Sequence, residues 1–200
     1  MKSKFAHFSG ETAPIAPSLP QSAAASIGRT ILRHAFLESI LSKIVYSLLG
    51  ISSKQGRVAV RLPPASRYVS TVQDLLLFHK IIAPTYNFRA LAKALNDADS
   101  ARNTLAHSIF LRRPESGELL IQIVRGSWEL DQDVISVSRA LQPQGKPVNR
   151  AFLKAQRAAV ENGIRAARDF HTFVKHWLGV ANEKRRTLPE QDRRRRSSDG

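Results

Sequence analysis

The chain contains no cysteine, which excludes disulfide bonds, thiol catalysis and cysteine-ligated zinc. It has no run of about 18 apolar residues, so no membrane-spanning helix is expected. Its first residues lack the continuous apolar stretch of a secretory signal. A glycine-rich phosphate loop and a recognisable serine, histidine and aspartate combination are also missing. These absences predict a cytoplasmic protein with no cofactor and no membrane partner.

Acidic side chains are few, with 16 against 31 basic ones, and the formal net charge is +15. Residues 183–200 hold seven basic and four acidic side chains, a net +3, which leaves +12 for the rest. A basic body of this kind favours a polyanionic partner such as RNA, DNA or an anionic membrane surface. Solubility alone is the alternative explanation.

Hydrophobic spacings of three and four residues predict four helices. They span about 22–49, 66 or 70 to 83, 86–107 and 149–178. Gly50, Pro84 and Gly179 are the predicted stops. The polar stretch 96–100 predicts a kink or break in the third helix, and residues 57–61 alternate like a short extended piece.

Between the third and fourth helices the pattern changes to that of strands. Ile109–Arg113 and Leu119–Arg125 predict a hairpin around the turn Pro114–Gly117. Val134–Leu141 predicts a third strand, which follows a turn at Asp131–Asp133.

The predicted fold class is therefore mainly α, a four-helix bundle with a small β-hairpin or three-strand insert between helices 3 and 4. The helical domain covers residues 22–180, and the insert covers about 108–142. Residues 1–21 are predicted to form a disordered leader, and residues 181–200 a basic disordered tail.

The clearest chemical signal is the run Arg102–His107, of sequence RNTLAH, near the predicted end of the third helix. Histidine can act as a general acid or base, and arginine can hold a phosphate through two hydrogen bonds. Asn103 can donate to a phosphate or orient the histidine ring. RNA supplies its own 2′-hydroxyl nucleophile, so this chemistry needs no metal. Arg102, Asn103 and His107 are the candidate catalytic residues.

The spacing of this motif leaves alternatives open. Five residues of a regular helix turn through about 140°, so Arg102 and His107 diverge unless the helix breaks or two copies meet across a dimer. The pair Arg29 and His34 has the same spacing. A surface arginine beside a hydrogen-bonded histidine is the alternative interpretation.

An arginine, a polar residue and a histidine in this order, late in the third helix of a four-helix bundle, resemble the HEPN superfamily. Members are typically α-helical dimers, and the active ones are metal-independent ribonucleases, often toxins or defence effectors. The resemblance implies that Arg102 and His107 are catalytic and face their counterparts across a dimer interface, with Asn103 in support. It is specific over Ser100–His107 and topological over residues 22–178. The β insert and the basic tail depart from the family pattern, and many members are non-catalytic binding modules.

Other residues are candidates for nucleic-acid binding. Arg112, Arg113 and Arg125 on the hairpin could follow a phosphate backbone, and Trp128 could stack on a base or instead pack the insert against the bundle. The tail arginines could bind RNA or DNA, or keep the chain soluble. These are Arg193, Arg194, Arg195 and Arg196.

The remaining histidines and acidic residues favour structural roles. His34 could approach the motif, but its apolar flanks favour a packed helix histidine, and His79 is predicted at a helix boundary. His171 and His176 are five residues apart rather than four, which does not suit a helical zinc pair. Asp131 and Asp133 could suggest a metal site, but their spacing is more typical of turn residues. No metal site is therefore predicted.

Three functions remain open. The first is a HEPN-like, RNA-binding endoribonuclease of a toxin or defence type, acting as a homodimer and controlled by a cognate antitoxin or partner protein. The second is a non-catalytic dimerisation or interaction module. The third is a basic nucleic-acid-binding protein that uses its tail and hairpin.

Overall fold

The computed structural model describes residues 19–61, 63, 65–81, 86–112, 116–123, 129–131, 134–136 and 146–187. Its helices are α1 (Gln21–Leu49), α2 (Ser53–Ala59), α3 (Ala65–Phe78), α4 (Phe88–Ala106) and α5 (Arg150–Thr187). Its strands are β1 (Ser108–Arg112), β2 (Leu119–Ile123), β3 (Glu129–Asp131), β4 (Val134–Ser136) and β5 (Lys146–Pro147). The described part of the chain is therefore mainly helical with a small amount of antiparallel sheet.

Among the described helices, one pair taken together has the length and apolar composition of a membrane span. Within the described ranges, no single helix has both the length and the apolar composition needed to cross a bilayer. Helices α1 and α2 reach those values only together, with a bend of 100° between them.

Helix α2 is an additional helix that the sequence analysis did not predict. It covers residues 57–59 of the piece predicted to be extended, whereas Val60 keeps an extended backbone. Ser52 caps it: its hydroxyl accepts a hydrogen bond from the backbone N–H of Gln55. The Gln55 side chain in turn accepts from the backbone N–H of Ser52 at 3.0 Å. This capping box satisfies donors that the first helical turn leaves open, and the serine and glutamine three residues apart are its signature in the sequence.

Helices α1 and α3 both end within two residues of a residue with a positive φ, but only one of these residues is a glycine. Gly50, at a φ of 66°, ends α1 as predicted, and the backbone N–H of Ile51 closes the end by donating to the Tyr46 carbonyl at 3.1 Å. Helix α3 ends at Phe78, before the predicted end at residue 83, because Lys80 adopts the same left-handed conformation with a φ of 57°. A lysine in this conformation leaves no signal in the sequence.

Helices α4 and α5 are longer or more regular than predicted. Helix α4 continues through the polar stretch 96–100, so the break that the sequence allowed there is not present. Helix α5 includes Gly179 and runs on to Thr187, so the predicted stop at Gly179 is wrong as well. Without a positive φ or a proline, glycine is tolerated within a helix at a cost of about 1 kcal/mol.

The strands form two small antiparallel sheets. Strand β1 pairs with β2, with Arg112 opposite Leu119, as the hairpin prediction required. The third strand of this sheet is β5, which lies after the predicted end of the insert at 142. Strand β4, predicted as that third strand, pairs with β3 instead, with Asp131 opposite Val134.

Contacts along the chain define two compact units. Unit 1 comprises Met1–Arg33 and Ser100–Ala159, and unit 2 comprises His34–Asp99 and Val160–Gly200. The core of unit 1 joins α1, α4 and the β1–β2–β5 sheet. Its buried members are Ile27, Leu105 and Ile121, against which Leu19, Ile31, Phe110, Val148, Phe152 and Leu153 pack.

Unit 2 has a larger core of aliphatic and aromatic side chains. The largest fully buried ones are Tyr68, Phe170, Leu37, Ile44, Leu48, Leu91, Leu95, Val72, Val160 and Val174. The Tyr68 hydroxyl donates to the Leu41 carbonyl at 3.1 Å, which satisfies the one polar atom this ring brings into the core.

Helix α5 offers a matched test of close packing in unit 2. A Cβ atom at Gly163 would lie 2.8 Å from Cβ of Ala98 and 3.1 Å from Cδ2 of Leu37, whereas Gly179 has nothing within 4 Å. Because the Ala98 Cβ moves only with its backbone, Gly163→Ala is expected to destabilise by up to about 2 kcal/mol despite its better helix propensity. Gly179→Ala is expected to stabilise by up to about 1 kcal/mol. Thermal and urea unfolding measure both, and a stabilising Gly163→Ala would contradict this packing.

Candidate functional site

The candidate site lies where α4 ends in unit 1. The backbone N–H of His107 donates to the Asn103 carbonyl at 3.0 Å and makes the last bond of the helix. The Ser108 hydroxyl donates to the Thr104 carbonyl at 2.5 Å, and β1 begins at Ser108. These two bonds satisfy carbonyls that a helix end leaves open. The chain therefore leaves helical geometry directly after Ala106.

This ending brings Arg102 and His107 together within one chain. Nη1 of Arg102 lies 2.8 Å from Nε2 of His107, whereas a regular helix would point the two side chains about 140° apart. His107 and Asn103 are exposed, and Arg102 is half-buried. The helix break that the motif needed is present, and the pair is accessible to a ligand in solution.

The contact fixes the form of the histidine that makes it. Arginine has only donors, so Nε2 of His107 accepts from Nη1 and the ring proton sits on Nδ1. The second hydrogen of Nη1 serves Oδ1 of Asn103, at 2.9 Å. Asn103 therefore orients the arginine, and not the histidine ring as the sequence allowed. A neutral imidazole with an accepting Nε2 is the form that can act as a general base.

Most of the donors of the Arg102 guanidinium remain open. No described residue accepts a hydrogen bond from Nη2 or Nε of Arg102. A guanidinium with a free pair of donors can hold two oxygens of a phosphate at once. The site therefore combines hydrogen-bond donors that suit a phosphate with a proton acceptor.

The second pair of the same spacing shows a different environment. Helix α1 continues from Arg29 past His34 to Leu49 without a break. His34 is buried, with Nε2 at 2.7 Å from Oδ1 of Asp99 and Nδ1 at 3.6 Å from Oε1 of Glu38. This burial confirms the packed histidine. The spacing alone thus does not create an accessible pair, and the helix end at His107 does.

The other candidate residues are placed only in part. Nη1 of Arg112 donates to the Gly117 carbonyl at 3.3 Å, so this arginine supports the hairpin turn. The remaining candidates for nucleic-acid binding lie outside the described residues. They are Arg113, Arg125, Trp128, Arg193, Arg194, Arg195 and Arg196.

The other histidines lie away from any metal-binding group of side chains. Within the described ranges, no three His, Asp or Glu side chains lie close enough to hold a metal ion. Nε2 of His79 contacts the Leu48 carbonyl, where α3 ends beside the end of α1. The pKa of His171 is lowered by burial and by the nearby charges of Lys175 and Lys43.

The chain was compared with protein families, curated proteins and solved structures. No family model, no curated protein and no solved structure matches it.

Two hydrogen bonds of the site were not predicted from the sequence. The Ser108 hydroxyl bond that helps to end α4 has no distinctive pattern, because serine is common both inside helices and after them. The bond from Arg102 to Asn103 joins neighbouring residues that a helix normally points apart. Neither could be predicted from spacing.

Proposed function

We propose that the chain is a HEPN-like, RNA-binding protein that acts as a metal-independent endoribonuclease of a toxin or defence type. The observation that supports this most directly is the exposed contact between Arg102 and His107 at 2.8 Å. It joins a phosphate-binding cation to a proton acceptor at the end of a helix, in the order that the HEPN resemblance requires.

The reaction is a transesterification within RNA. A phosphate oxygen takes the place of Nε2 as the partner of Arg102, which frees the imidazole. His107 removes the proton of the 2′-hydroxyl, the 2′-oxygen bonds to phosphorus and the bond from phosphorus to the 5′-oxygen breaks. His107 then returns its proton to the leaving 5′-oxygen, so the products are a 2′,3′-cyclic phosphate and a 5′-hydroxyl. Arg102 stabilises the charge that develops on the phosphate.

The charge of the whole chain supports a polyanionic substrate. A net charge of +15 raises the local concentration of RNA and makes binding depend on salt. RNA rather than DNA is the substrate of this chemistry, because only RNA has the attacking 2′-hydroxyl.

The proposal includes the assembly that the resemblance implies. The long helices form a four-helix bundle of the HEPN type, and two copies form a homodimer in the cytoplasm, with the Arg102 and His107 pairs facing each other. A cognate antitoxin or partner protein would act by covering the pairs. Analytical ultracentrifugation at micromolar concentration measures the dimer, and a monomer that cleaves RNA would remove it from the proposal.

The deciding experiment is RNA cleavage by the purified protein in EDTA. Wild-type protein is expected to cleave, and Arg102→Ala and His107→Ala are each expected to lose about 10²-fold or more, because each removes one chemical function. Arg29→Ala, at an exposed arginine on α1, is the matched control and keeps wild-type activity. Circular dichroism confirms that all variants are folded.

The alternatives appear as other outcomes of the same experiment. Equal cleavage by the wild type and His107→Ala would show that His107 does not transfer the proton. Absence of cleavage of total cellular RNA by all of the proteins, with loss of dimerisation in the two motif variants, would favour the interaction module. Loss of RNA affinity and a flatter salt dependence on deletion of residues 183–200 would favour a binding protein that uses its tail.

A further inference from the structure

A second group of polar side chains surrounds a cleft in unit 2 that the ribonuclease chemistry does not use. The cleft has a volume of about 480 Å³ and is lined by α1, α2, the residues after α2 and Asp99 of α4. Its charged lining has both signs: Glu38 and Asp99 are acidic, and Arg57 and Arg61 are basic.

The two carboxylates lie on either side of a buried histidine, which forms a hydrogen bond with one of them. His34 is 4% exposed, and it presents Nε2 to Asp99 at 2.7 Å and Nδ1 to Glu38 at 3.6 Å. One oxygen of each carboxylate faces the ring. The other oxygen of each has no partner among the described residues, so both side chains can still accept hydrogen bonds from a ligand.

The two arginines are available to an anion. Arg57 and Arg61 are exposed, and neither forms an ion pair with a carboxylate of the described residues. Arg57 lies in the last turn of α2 and Arg61 follows the helix, and both line the cleft. Two unpaired guanidinium groups can together bind a carboxylate or a phosphate.

A tyrosine adds a neutral polar atom. Tyr46 is 6% exposed, and its ring packs so closely on Gly56 that a Cβ atom there would collide with it. Its hydroxyl has no hydrogen-bond partner among the described residues. Every fully buried side-chain nitrogen or oxygen atom of the described residues has a partner, so this hydroxyl is not fully buried. The hydroxyl therefore keeps some exposure to solvent, and Tyr46 is one of the residues that line the cleft.

The pattern of charge selects the class of ligand. A purely anionic ligand would face the Glu38 and Asp99 carboxylates, and a purely cationic one would face the arginines. We propose that the cleft binds a dipolar ligand, an amino acid or a short peptide, with its carboxylate at Arg57 and Arg61 and its ammonium at the acidic pair. Apolar lining residues receive its side chain. They are Leu37, Leu41, Val60 and Pro63.

Isothermal titration calorimetry with the full chain tests both poles of the ligand. Leucine and leucyl-leucine are the probes, and N-acetylleucine and leucinamide are the controls that lack the ammonium or the carboxylate. At least one of the two probes is expected to bind. If leucine binds, N-acetylleucine and leucinamide are each expected to bind about 10-fold or more weakly than leucine. Where only the dipeptide binds, N-acetyl-leucyl-leucine and leucyl-leucinamide are the controls. Preference for leucine identifies a free amino acid, and preference for the dipeptide identifies a peptide.

Variants locate the binding. The double variant Arg57→Ala with Arg61→Ala is expected to weaken binding about 10-fold or more, and Tyr46→Phe by about 3- to 10-fold. Arg67→Ala, at an exposed arginine of α3 outside the lining, is expected to bind as wild type does. Binding of neither probe at high millimolar concentration, equal binding of the blocked controls, or full binding by the folded double variant would each overturn the proposal. None of these results depends on Arg102 or His107, so the two proposals fail separately.

Discussion

Glutamine in place of His107 is expected to lower metal-independent RNA cleavage by about 10²–10⁴-fold while the fold stays intact. The glutamine amide oxygen can still accept the hydrogen bond that Nη1 of Arg102 gives to the imidazole at 2.8 Å. It cannot take up a proton, however, so the variant separates the proton transfer from the contact. Because His107 is exposed, the substitution leaves the core of unit 1 unchanged. Single-turnover cleavage in EDTA, with detection of the 2′,3′-cyclic phosphate, measures the effect.

Two further variants provide an intermediate case and a control for this experiment. Asn103→Ala is expected to lose only about 3- to 10-fold, because Asn103 positions the arginine through one hydrogen bond. His176→Ala, at an exposed histidine of α5, is expected to cleave at the wild-type rate. If His107→Gln also cleaves at that rate, the imidazole has a structural role, and the proposed mechanism is wrong.

Alanine in place of Phe170 is expected to destabilise the protein by about 3–5 kcal/mol. Phe170 is fully buried in unit 2, and its ring centroid lies 4.8 Å from that of Tyr86 and 5.9 Å from that of Phe173. Truncation removes the transfer free energy of the ring and leaves a cavity that helix α5 cannot close. For a chain of this length the loss corresponds to roughly 6–20 °C in Tm. Urea and thermal unfolding measure it.

The same variant has a second readout at Tyr86. Burial, and then the charge of Asp169, raise the pKa of Tyr86 to about 12. Opening the cluster admits water to the phenol, so Phe170→Ala is expected to move this pKa back towards 10, which alkaline absorbance titration detects. Phe78→Ala removes a ring that is 80% exposed and is expected to change stability by less than about 0.5 kcal/mol. Equal losses from the two variants would contradict the packing of this cluster.

Helices were predictable where a local rule sets them. The spacing of apolar residues marks the four long helices, and Gly50 ends α1 because glycine adopts a positive φ at no steric cost. Gly179 has the same residue type without that conformation, so α5 continues to Thr187. Lys80 has the conformation without the residue type, so α3 ends earlier than predicted. Glycine thus allows a helix to end, but a glycine by itself does not show that the helix ends there.

Strand pairing was predictable only for neighbours in the chain. The β1–β2 hairpin has a short turn between its strands, and the alternation of side chains fixes its register. The choice of β5 over β4 as the third strand depends on which segment can reach the free edge of β2. Nothing in the sequence of residues 134–136 indicates that they pair with β3 instead.

The sequence by itself determined the composition of the candidate site, namely Arg102, Asn103 and His107 at one end of a helix, together with a basic charge that favours a polyanionic partner. The tertiary structure decided that the arginine and histidine touch, because the chain leaves α4 at Ala106 to enter β1. It also decided that His34 and Asp99, 65 residues apart, share a hydrogen bond beside the cleft. Spacing within a helix follows from bonds between near neighbours, whereas contacts over such separations depend on how the segments pack.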